Sequence, residues 1–486
     1  MQIRGIYMEE FLDKIDNRKF FLFKALEESY RNRLTYSELM EALNVSEFVL
    51  MRILNDLEDD LQKFDLTESF NIIKYKKYVQ LEEKLDVNSE ILLHKLVINS
   101  PKFKMIDCIL KKEFPGVSIF SEENYVNMPK AYSYIKEIKK LFIRTRIKIN
   151  AKFELVGNEM DQRMFMFNFY YSIFGNIDTP FHRNISEEAE LLTAQFKMEC
   201  YPRLSIIQTN KLLYLFSIIL IRQKNGEYID SEMTVRDYLR EEDYQMYSLF
   251  FRSKFIEIDD KEINFFIAFL ISENIINSDE NVTKYNQQSI NTTELFLSRF
   301  VERFGKFEDF RLKRKIEEGL NHAHFKVSLI NRTKYFRDEF IVFPFIKEQY
   351  GEILQFCDEF VESCRRTPSL KIVYLNKEFL LNEYIYLIIN SMPASFFMKE
   401  INVCVDFLLG KNYNEMIIKN IKTFEFLNIE IQENLDLKTD LLLTDSLMKN
   451  ELTCDYIIWN TPPTTQDWGN LGELLVKIKK KKEMKR

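Results

Sequence analysis

Residues 34–61 read LTYSELMEALNVSEFVLMRILNDLEDDL and contain two helical patterns on either side of a short break. Apolar residues recur at helical spacing before and after Asn44–Ser46. Asn44 suits the turn, and Ser46 can cap the second helix. A helix, a short turn and a second helix form a helix-turn-helix. Residues 70–83, FNIIKYKKYVQLEE, then alternate as a β-hairpin does, so the region predicts a winged helix.

The same arrangement recurs further along the chain. Residues 89–114 carry two helical patterns that divide at Ser100–Pro101. Residues 118–142, SIFSEENYVNMPKAYSYIKEIKKLF, add a helix, a break near Asn127 and a longer helix. Residues 146–157, RIKINAKFELVG, alternate as a second wing would. We therefore predict a second winged helix after the first.

The remainder of the chain divides into a helical part and a mixed part. From residue 160 to 392 almost every segment has the pattern of an amphipathic helix, which fits two bundles of about 100 residues each. Three short apolar runs near the end, EINVCVDFLL, DLLLTD and DYIIWN, read as buried strands separated by helical segments.

The predicted fold class is multidomain and predominantly α. It comprises two N-terminal winged helix-turn-helix domains, two all-helical bundles and one small C-terminal α/β domain with a mostly parallel sheet. The predicted domains span residues 1–84, 85–160, 161–288, 289–394 and 395–486.

Composition argues against several classes of protein. The chain has 75 acidic and 68 basic side chains, a net charge of −7. The six cysteines form no CxxC pair and only four histidines occur, so we expect no metal site and a reducing, cytoplasmic environment. The longest strongly apolar run, LLYLFSIILI, is about half of what a membrane-spanning helix needs, and we find no signal peptide. No HExxH, GxSxG or GxGxxG motif occurs, so we expect neither catalysis nor a cofactor.

Positive charge is concentrated between Asn127 and Lys152, where eight Lys or Arg accompany one acid, Glu137. The segment covers the long helix and the wing of the second winged helix. Lysine and arginine displace counterions from DNA phosphates, while tyrosine and asparagine can hydrogen-bond to base edges. The alternative is a solvated helix face. The predicted DNA contacts are Asn127, Lys130, Tyr132, Lys136, Lys139, Lys140, Arg144, Arg146 and Lys148.

The first winged helix has a less favourable charge pattern. Its second helix ends in NDLEDDL, which would face phosphate poorly. The predicted contacts are Ser46, Glu47 and Arg52 on that helix and Lys76 in the hairpin. The alternative is that this domain only packs or dimerises.

Three segments together resemble the Mga/AtxA-like virulence regulators of Gram-positive bacteria. They are residues 34–61 quoted above, FELVGNEMDQRMFMFNFYYSIF at 153–174, and LNHAHFKVSLINRTKYFRDEFIVFPFIKEQYGEIL at 320–354. The resemblance implies a DNA-binding transcription regulator with two phosphotransferase-system regulation domains and a C-terminal domain similar to enzyme IIB. It rests on the order of the domains over essentially the whole chain rather than on one specific motif.

The resemblance also implies phosphoryl control. His322 or His324 would accept the group from a phosphocarrier protein, and Arg332 could stabilise the added charge. The two histidines lie two residues apart on a helix, so at most one of them suits this role. The corresponding helix of the first regulation domain, residues 209–229, contains no histidine, and His182 upstream is a weak substitute.

The C-terminal domain departs from the enzyme IIB pattern. The loop after the first strand, LLGKNYNEM, lacks the reactive cysteine, and Cys404 lies within the strand itself. We therefore expect dimerisation or sensing from this domain rather than phosphoryl transfer.

The sequence thus predicts a cytoplasmic, homodimeric regulator that binds double-stranded DNA, with the dimer formed through the C-terminal domain. Two rivals stay open. An RNA-binding antiterminator uses similar regulation domains but would normally lack winged helices. A scaffold or phosphoryl sensor that does not bind DNA would be favoured if the N-terminal half failed to bind a duplex.

Overall fold

The computed structural model describes residues 8–142, 147–255, 258–276, 282–307, 309–330, 347, 350–424, 427–447 and 453–483. The chain forms two compact units. The first comprises Met1–Leu295, Asn321–Ile341 and Ser363–Leu380. The second comprises Phe296–Leu320, Val342–Glu362 and Leu381–Arg486.

The first winged helix has the predicted helix-turn-helix and hairpin. Its elements are α1 (Lys14–Glu27), β1 (Arg33–Thr35), α2 (Tyr36–Leu43), α3 (Glu47–Lys63), β2 (Phe70–Lys74) and β3 (Tyr78–Glu83). The three strands form an antiparallel sheet in the order β1-β3-β2, so β1 adds a strand that the sequence pattern did not predict. Thr35 and Glu38 form a capping box at the start of α2.

The turn between α2 and α3 confirms one expectation and corrects another. Asn44 adopts the left-handed conformation with φ 50°, which asparagine tolerates better than most residues. Ser46 occupies the N-cap position of α3, but its side chain makes no capping hydrogen bond. The predicted N-cap position is therefore confirmed and the side-chain hydrogen bond is not, and α3 packs through its apolar face. That buried face consists of Leu50, Ile53, Leu54, Leu57 and Leu61.

The second winged helix also has the predicted order of elements. They are α4 (Ser89–Asn99), α5 (Pro101–Lys111), α6 (Val117–Glu123), α7 (Met128–Leu141), β4 (Lys148–Ile149) and β5 (Leu155–Val156). Ser100 caps α5 and Pro101 is its first residue, where proline loses no helical hydrogen bond. The antiparallel wing is short, because β4 and β5 have two residues each.

The long middle region is helical, as predicted. Its helices are α8 (Glu159–Phe174), α9 (Arg183–Glu199), α10 (Ile206–Lys224), α11 (Glu241–Lys254), α12 (Asp260–Ser272), α13 (Gln287–Phe304), α14 (Phe310–Leu329), α15 (Gly351–Ser363), α16 (Lys371–Leu375), α17 (Lys377–Ser391) and α18 (Ala394–Phe397). No helix in the described ranges is long and apolar enough to cross a membrane.

A buried network of charges joins α8, α10 and α12 in the first unit. Arg163 donates to Glu262 at 2.7 and 2.8 Å and to Glu159 at 2.9 Å. Arg222 donates to Glu159 at 2.5 and 2.9 Å. The four side chains are at most 5% exposed. Burial alone would lower the pKa of Arg163, but its hydrogen bonds and charge contact with Glu262 raise it, so the guanidinium stays charged.

The C-terminal domain confirms the α/β prediction and adds a strand. It contains β6 (Ile401–Asp406), α19 (Lys411–Ile421), β7 (Ile429–Gln432), β8 (Leu441–Thr444), β9 (Asp455–Ile458) and α20 (Thr465–Glu483). The sheet is parallel throughout, in the order β7-β6-β8-β9. The sequence pattern did not predict β7. This strand lies at the edge of the sheet, where its Glu430 and Gln432 are tolerated.

Candidate nucleic-acid interface

Helix α7 presents one apolar and one basic face. Ala131, Tyr134, Ile135, Ile138 and Leu141 are buried. The exposed side chains on the opposite face are Tyr132, Lys136, Lys139 and Lys140. Positions 132, 136 and 140 are four residues apart, and 136 and 139 are three apart, so all four project from the same side of the helix. The structure thus brings together four of the predicted DNA contacts, which we call the α7 face.

Lys130 lies elsewhere on the same helix. Its ammonium group is 5.2 Å from the ring centroid of Tyr134, on the side of Glu137 and away from the α7 face. Glu137 accepts a hydrogen bond from Ser133 at 3.1 Å and forms an ion pair with Lys102 of α5. Burial alone would raise the pKa of Glu137, but the hydrogen bond and charge of Lys102 lower it. The only acid of α7 is therefore neutralised from α5 and directed away from the α7 face.

Asn127 has a defined local role. Its side-chain oxygen accepts a hydrogen bond from the backbone N–H of Lys130 at 3.0 Å and caps α7. The amide nitrogen of Asn127 keeps its two N–H donors for a base edge.

The second wing, which follows α7 in the chain, carries one more of the predicted DNA contacts. Lys148 is exposed at the start of β4. Asn150 shapes the turn after it by accepting hydrogen bonds from the backbone N–H groups of Lys152 at 2.8 Å and Glu154 at 3.0 Å. Arg144 and Arg146 lie outside the described residues.

In the first winged helix, α3 carries five acidic and two basic residues. Arg52 forms an ion pair with Asp56 at 3.7 Å. Lys74 of β2 donates to Asn55 at 2.8 Å and to Glu58 at 2.7 Å. Lys74 therefore compensates the acids of α3, whereas Arg52 is exposed and its ion pair is a weak surface contact. Among the predicted contacts, Glu47 and Arg52 lie on this acidic helix and Ser46 lies at its N-cap, while Lys76 lies apart from them in the wing turn.

The two candidate phosphoryl acceptors are buried in α14. His322 is 9% exposed and His324 is 3% exposed. Nδ1 of His324 lies 2.8 Å from the hydroxyl oxygen of Thr293. Burial lowers the pKa of each imidazole to about 3, so both are neutral at physiological pH. The neutral ring is the nucleophilic form, but its position gives a phosphocarrier protein no direct access. Arg332 lies outside the described residues.

We expect the buried histidines to make folding sensitive to acid. An unfolded histidine titrates near 6.5, so between about pH 6.5 and 3 the unfolded chain binds more protons than the folded one. Their stabilising contribution is complete above about pH 6.5 and is lost as the pH falls, by roughly 1.4 kcal/mol per unit for each histidine. Denaturation followed by circular dichroism at several pH values measures the free energy of unfolding. In His322→Gln/His324→Gln this free energy should fall less steeply with decreasing pH than in the wild type. The exposed-site control His182→Gln should keep the wild-type slope, and equal slopes in all three proteins would contradict the prediction.

Cys404 is buried in β6, as the sequence predicts for a small apolar residue in that strand. Burial raises the pKa of its thiol, which disfavours the reactive thiolate. The loop after β6 instead exposes Leu408 and Leu409, at 80% and 63%.

No curated protein matches the chain. Residues 85–170 match the family model described as the Mga helix-turn-helix domain. The match begins where the second winged helix was predicted to begin, and it contains α4 to α7, the wing β4–β5 and most of α8. It therefore includes the whole α7 face. The helical bundles and the C-terminal domain lie outside the matched residues, and their proposed relationships stay predictions. Residues 85–170 are thus similar to the Mga helix-turn-helix domain.

Proposed function

We propose that the protein is a DNA-binding transcription regulator of the Mga type that inserts α7 into the major groove. The observation that carries this proposal is the α7 face, which lies within the residues that match the Mga helix-turn-helix domain. Helix α7 has 14 residues, and a helix with its side chains is about 10–12 Å in diameter, which fits a major groove about 12 Å wide. Lys136, Lys139 and Lys140 would contact phosphates, and Tyr132 would lie nearest to the base edges.

Binding of the intact protein to a labelled duplex, measured by fluorescence anisotropy across a salt series, tests this proposal. The logarithm of the binding constant should fall linearly with the logarithm of salt concentration between about 50 and 200 mM. A hairpin RNA of equal length should compete poorly, which separates this function from antitermination. Absence of duplex binding at low salt would contradict the proposal. The scaffold or phosphoryl-sensor function, which the acidic surface of α3 favours, would then replace it.

We further propose that phosphoryl transfer tunes the regulator. A phosphocarrier protein of the phosphotransferase system would pass its phosphoryl group to His322 or His324, breaking one P–N bond and forming another. Because both rings are buried, the transfer requires the turn of α14 around Ala323 to become accessible. A radiolabelled carrier should label the wild type, and it should fail to label one of the single variants His322→Gln and His324→Gln.

The remaining parts of the proposal concern assembly and location. The protein would act in the cytoplasm as a homodimer formed through the C-terminal domain, and it would have no catalytic activity. The exposed Leu408 and Leu409 support an interface in that domain. Sedimentation of the intact protein tests the dimer, and monomeric behaviour at micromolar concentration would contradict it.

A further inference from the structure

The first winged helix carries a basic and aromatic surface that is separate from its acidic helix α3. Arg33 belongs to β1, Tyr75, Lys76 and Lys77 form the turn between β2 and β3, and Tyr78 begins β3. We call these five residues the wing surface. Arg33, Lys76 and Lys77 are exposed, and Tyr75 is 42% exposed.

Contacts among these residues hold the wing surface in place. The guanidinium of Arg33 lies 5.5 Å from the ring centroid of Tyr78. The rings of Tyr75 and Tyr78 stack with centroids 4.6 Å apart. The hydroxyl of Tyr36 donates to the backbone carbonyl of Tyr75 at 3.1 Å, and the N–H of Tyr75 donates to the carbonyl of Tyr78 at 2.9 Å. The turn that carries the two lysines is thus fixed at its base.

The positive charge of this domain lies on the wing rather than on the helix. Residues 29–37 and 70–81 contain five basic residues and no acidic one. Only Lys74 among these five forms a salt bridge with an acid of α3. The other four are Arg31, Arg33, Lys76 and Lys77. DNA would therefore be repelled by α3 and attracted by the wing surface.

We propose that the first winged helix binds the duplex through the wing surface, with α3 held away from the groove. This inference rests on the proposed function, because it concerns the same DNA. Arg33, Lys76 and Lys77 contact phosphates of the backbone beside the segment that α7 reads.

The tyrosines favour duplex over single-stranded DNA as the ligand. Single strands bind where aromatic rings are open for bases to stack on. Here the rings of Tyr75 and Tyr78 stack on each other and the guanidinium of Arg33 contacts Tyr78, so Tyr75, 42% exposed, is the more open ring of the pair. The tyrosines therefore stiffen the wing and orient Arg33, while the charges bind the backbone.

The test compares variants of the full chain in duplex binding across a salt series. We plot the logarithm of the binding constant against the logarithm of salt concentration. In Lys76→Ala/Lys77→Ala, we expect the slope of this plot to become less steep by roughly 1.8, about 0.9 for each lost phosphate contact. The same relation gives a loss of affinity of roughly 30-fold at 0.15 M salt. Arg52→Ala on α3 should bind within about twofold of the wild type, since α3 is held away from the DNA, and a loss as large as that of the wing variant would contradict the inference. Lys197→Ala/Lys224→Ala removes two exposed lysines from α9 and α10 and is the charge-matched control.

The outcomes separate this inference from the proposed function. If the wing variant binds like the control while replacing Lys136, Lys139 and Lys140 with alanine weakens binding, the inference is wrong and the proposed function stands. If the wing variant loses only single-stranded DNA binding, the inference is also wrong. If the wild type binds no duplex, both fail. Lys76→Arg/Lys77→Arg should restore binding, and an unchanged circular dichroism melt excludes misfolding as the cause of any loss.

Discussion

Replacing Lys136, Lys139 and Lys140 with alanine should weaken duplex binding by on the order of 100-fold at 0.15 M salt. The three ammonium groups project from one side of α7, and no acid lies among them because Glu137 is paired with Lys102. Each lost phosphate contact should make the slope of log binding constant against log salt concentration less steep by about 0.9. The variant should therefore show a slope less steep by roughly 2.7. Fluorescence anisotropy with a labelled duplex measures both quantities.

The control for this variant removes the same charge elsewhere. Lys197, Lys224 and Lys284 are exposed and lie outside both winged helices. Their triple replacement by alanine lowers the net charge equally, so it reports the long-range effect of charge alone. Equal losses in the two triple variants would show that α7 is not the phosphate-contacting surface. A loss confined to the α7 variant would support the proposed function.

The second large effect should come from the buried charge network. Glu262→Ala removes the carboxylate that accepts two hydrogen bonds from Arg163 and one from the backbone N–H of Ile229 at 2.8 Å. Arg163 would then be buried with only Glu159 to balance it, and Glu159 also serves Arg222. Breaking such a buried pair typically costs about 3–5 kcal/mol. We expect the free energy of unfolding of the first unit to fall by that amount.

Circular dichroism is the appropriate measurement, because both tryptophans of the chain, Trp459 and Trp468, belong to the second unit. The matched control is Glu187→Ala, which breaks an exposed ion pair with Arg183 and should change stability little. Glu262→Gln keeps the side-chain shape and should fall between the two. A Glu262→Ala variant as stable as the control would mean that the network contributes little to folding.

The same network joins the matched residues to the helices that follow them. Glu159 and Arg163 lie in the part of α8 that the Mga helix-turn-helix match includes, whereas Arg222 and Glu262 lie beyond it on α10 and α12. The matched domain is therefore joined to the following helices through buried charge rather than through a flexible linker. A fragment that ends at residue 170 would leave Arg163 and Glu159 without two of their partners.

Local sequence signals predicted most of the elements in the N-terminal half. The turn at Asn44 and the break at Asn127 act within a few residues, and the apolar spacing of α3 and α7 identifies their buried faces. The failures are of two kinds. Strands β1 and β7 are short and are defined by their pairing with β3 and β6. Ser46 has the residue type of a cap but makes no capping bond.

The histidines of α14 show why a helix pattern could not settle their role. Two residues apart, they should point to different faces, and the sequence predicted that at most one would suit a phosphoryl acceptor. In the structure both are buried, as are Ala323, Phe325 and Lys326 between and beside them. Exposure in such a turn depends on packing from several sides, which periodicity does not record.

The sequence by itself determined the order of winged helices, helical region and parallel α/β domain, and it determined where positive charge accumulates. Periodicity, turn residues and composition carry that information over short distances. Tertiary structure alone decided which charges are paired within the protein and which remain available to bind DNA. It paired Glu137 with Lys102, Glu58 with Lys74, and Arg163 with Glu262 across 99 positions of the chain. Such pairs depend on distances between elements that are remote in sequence, because the Coulomb interaction follows separation in space.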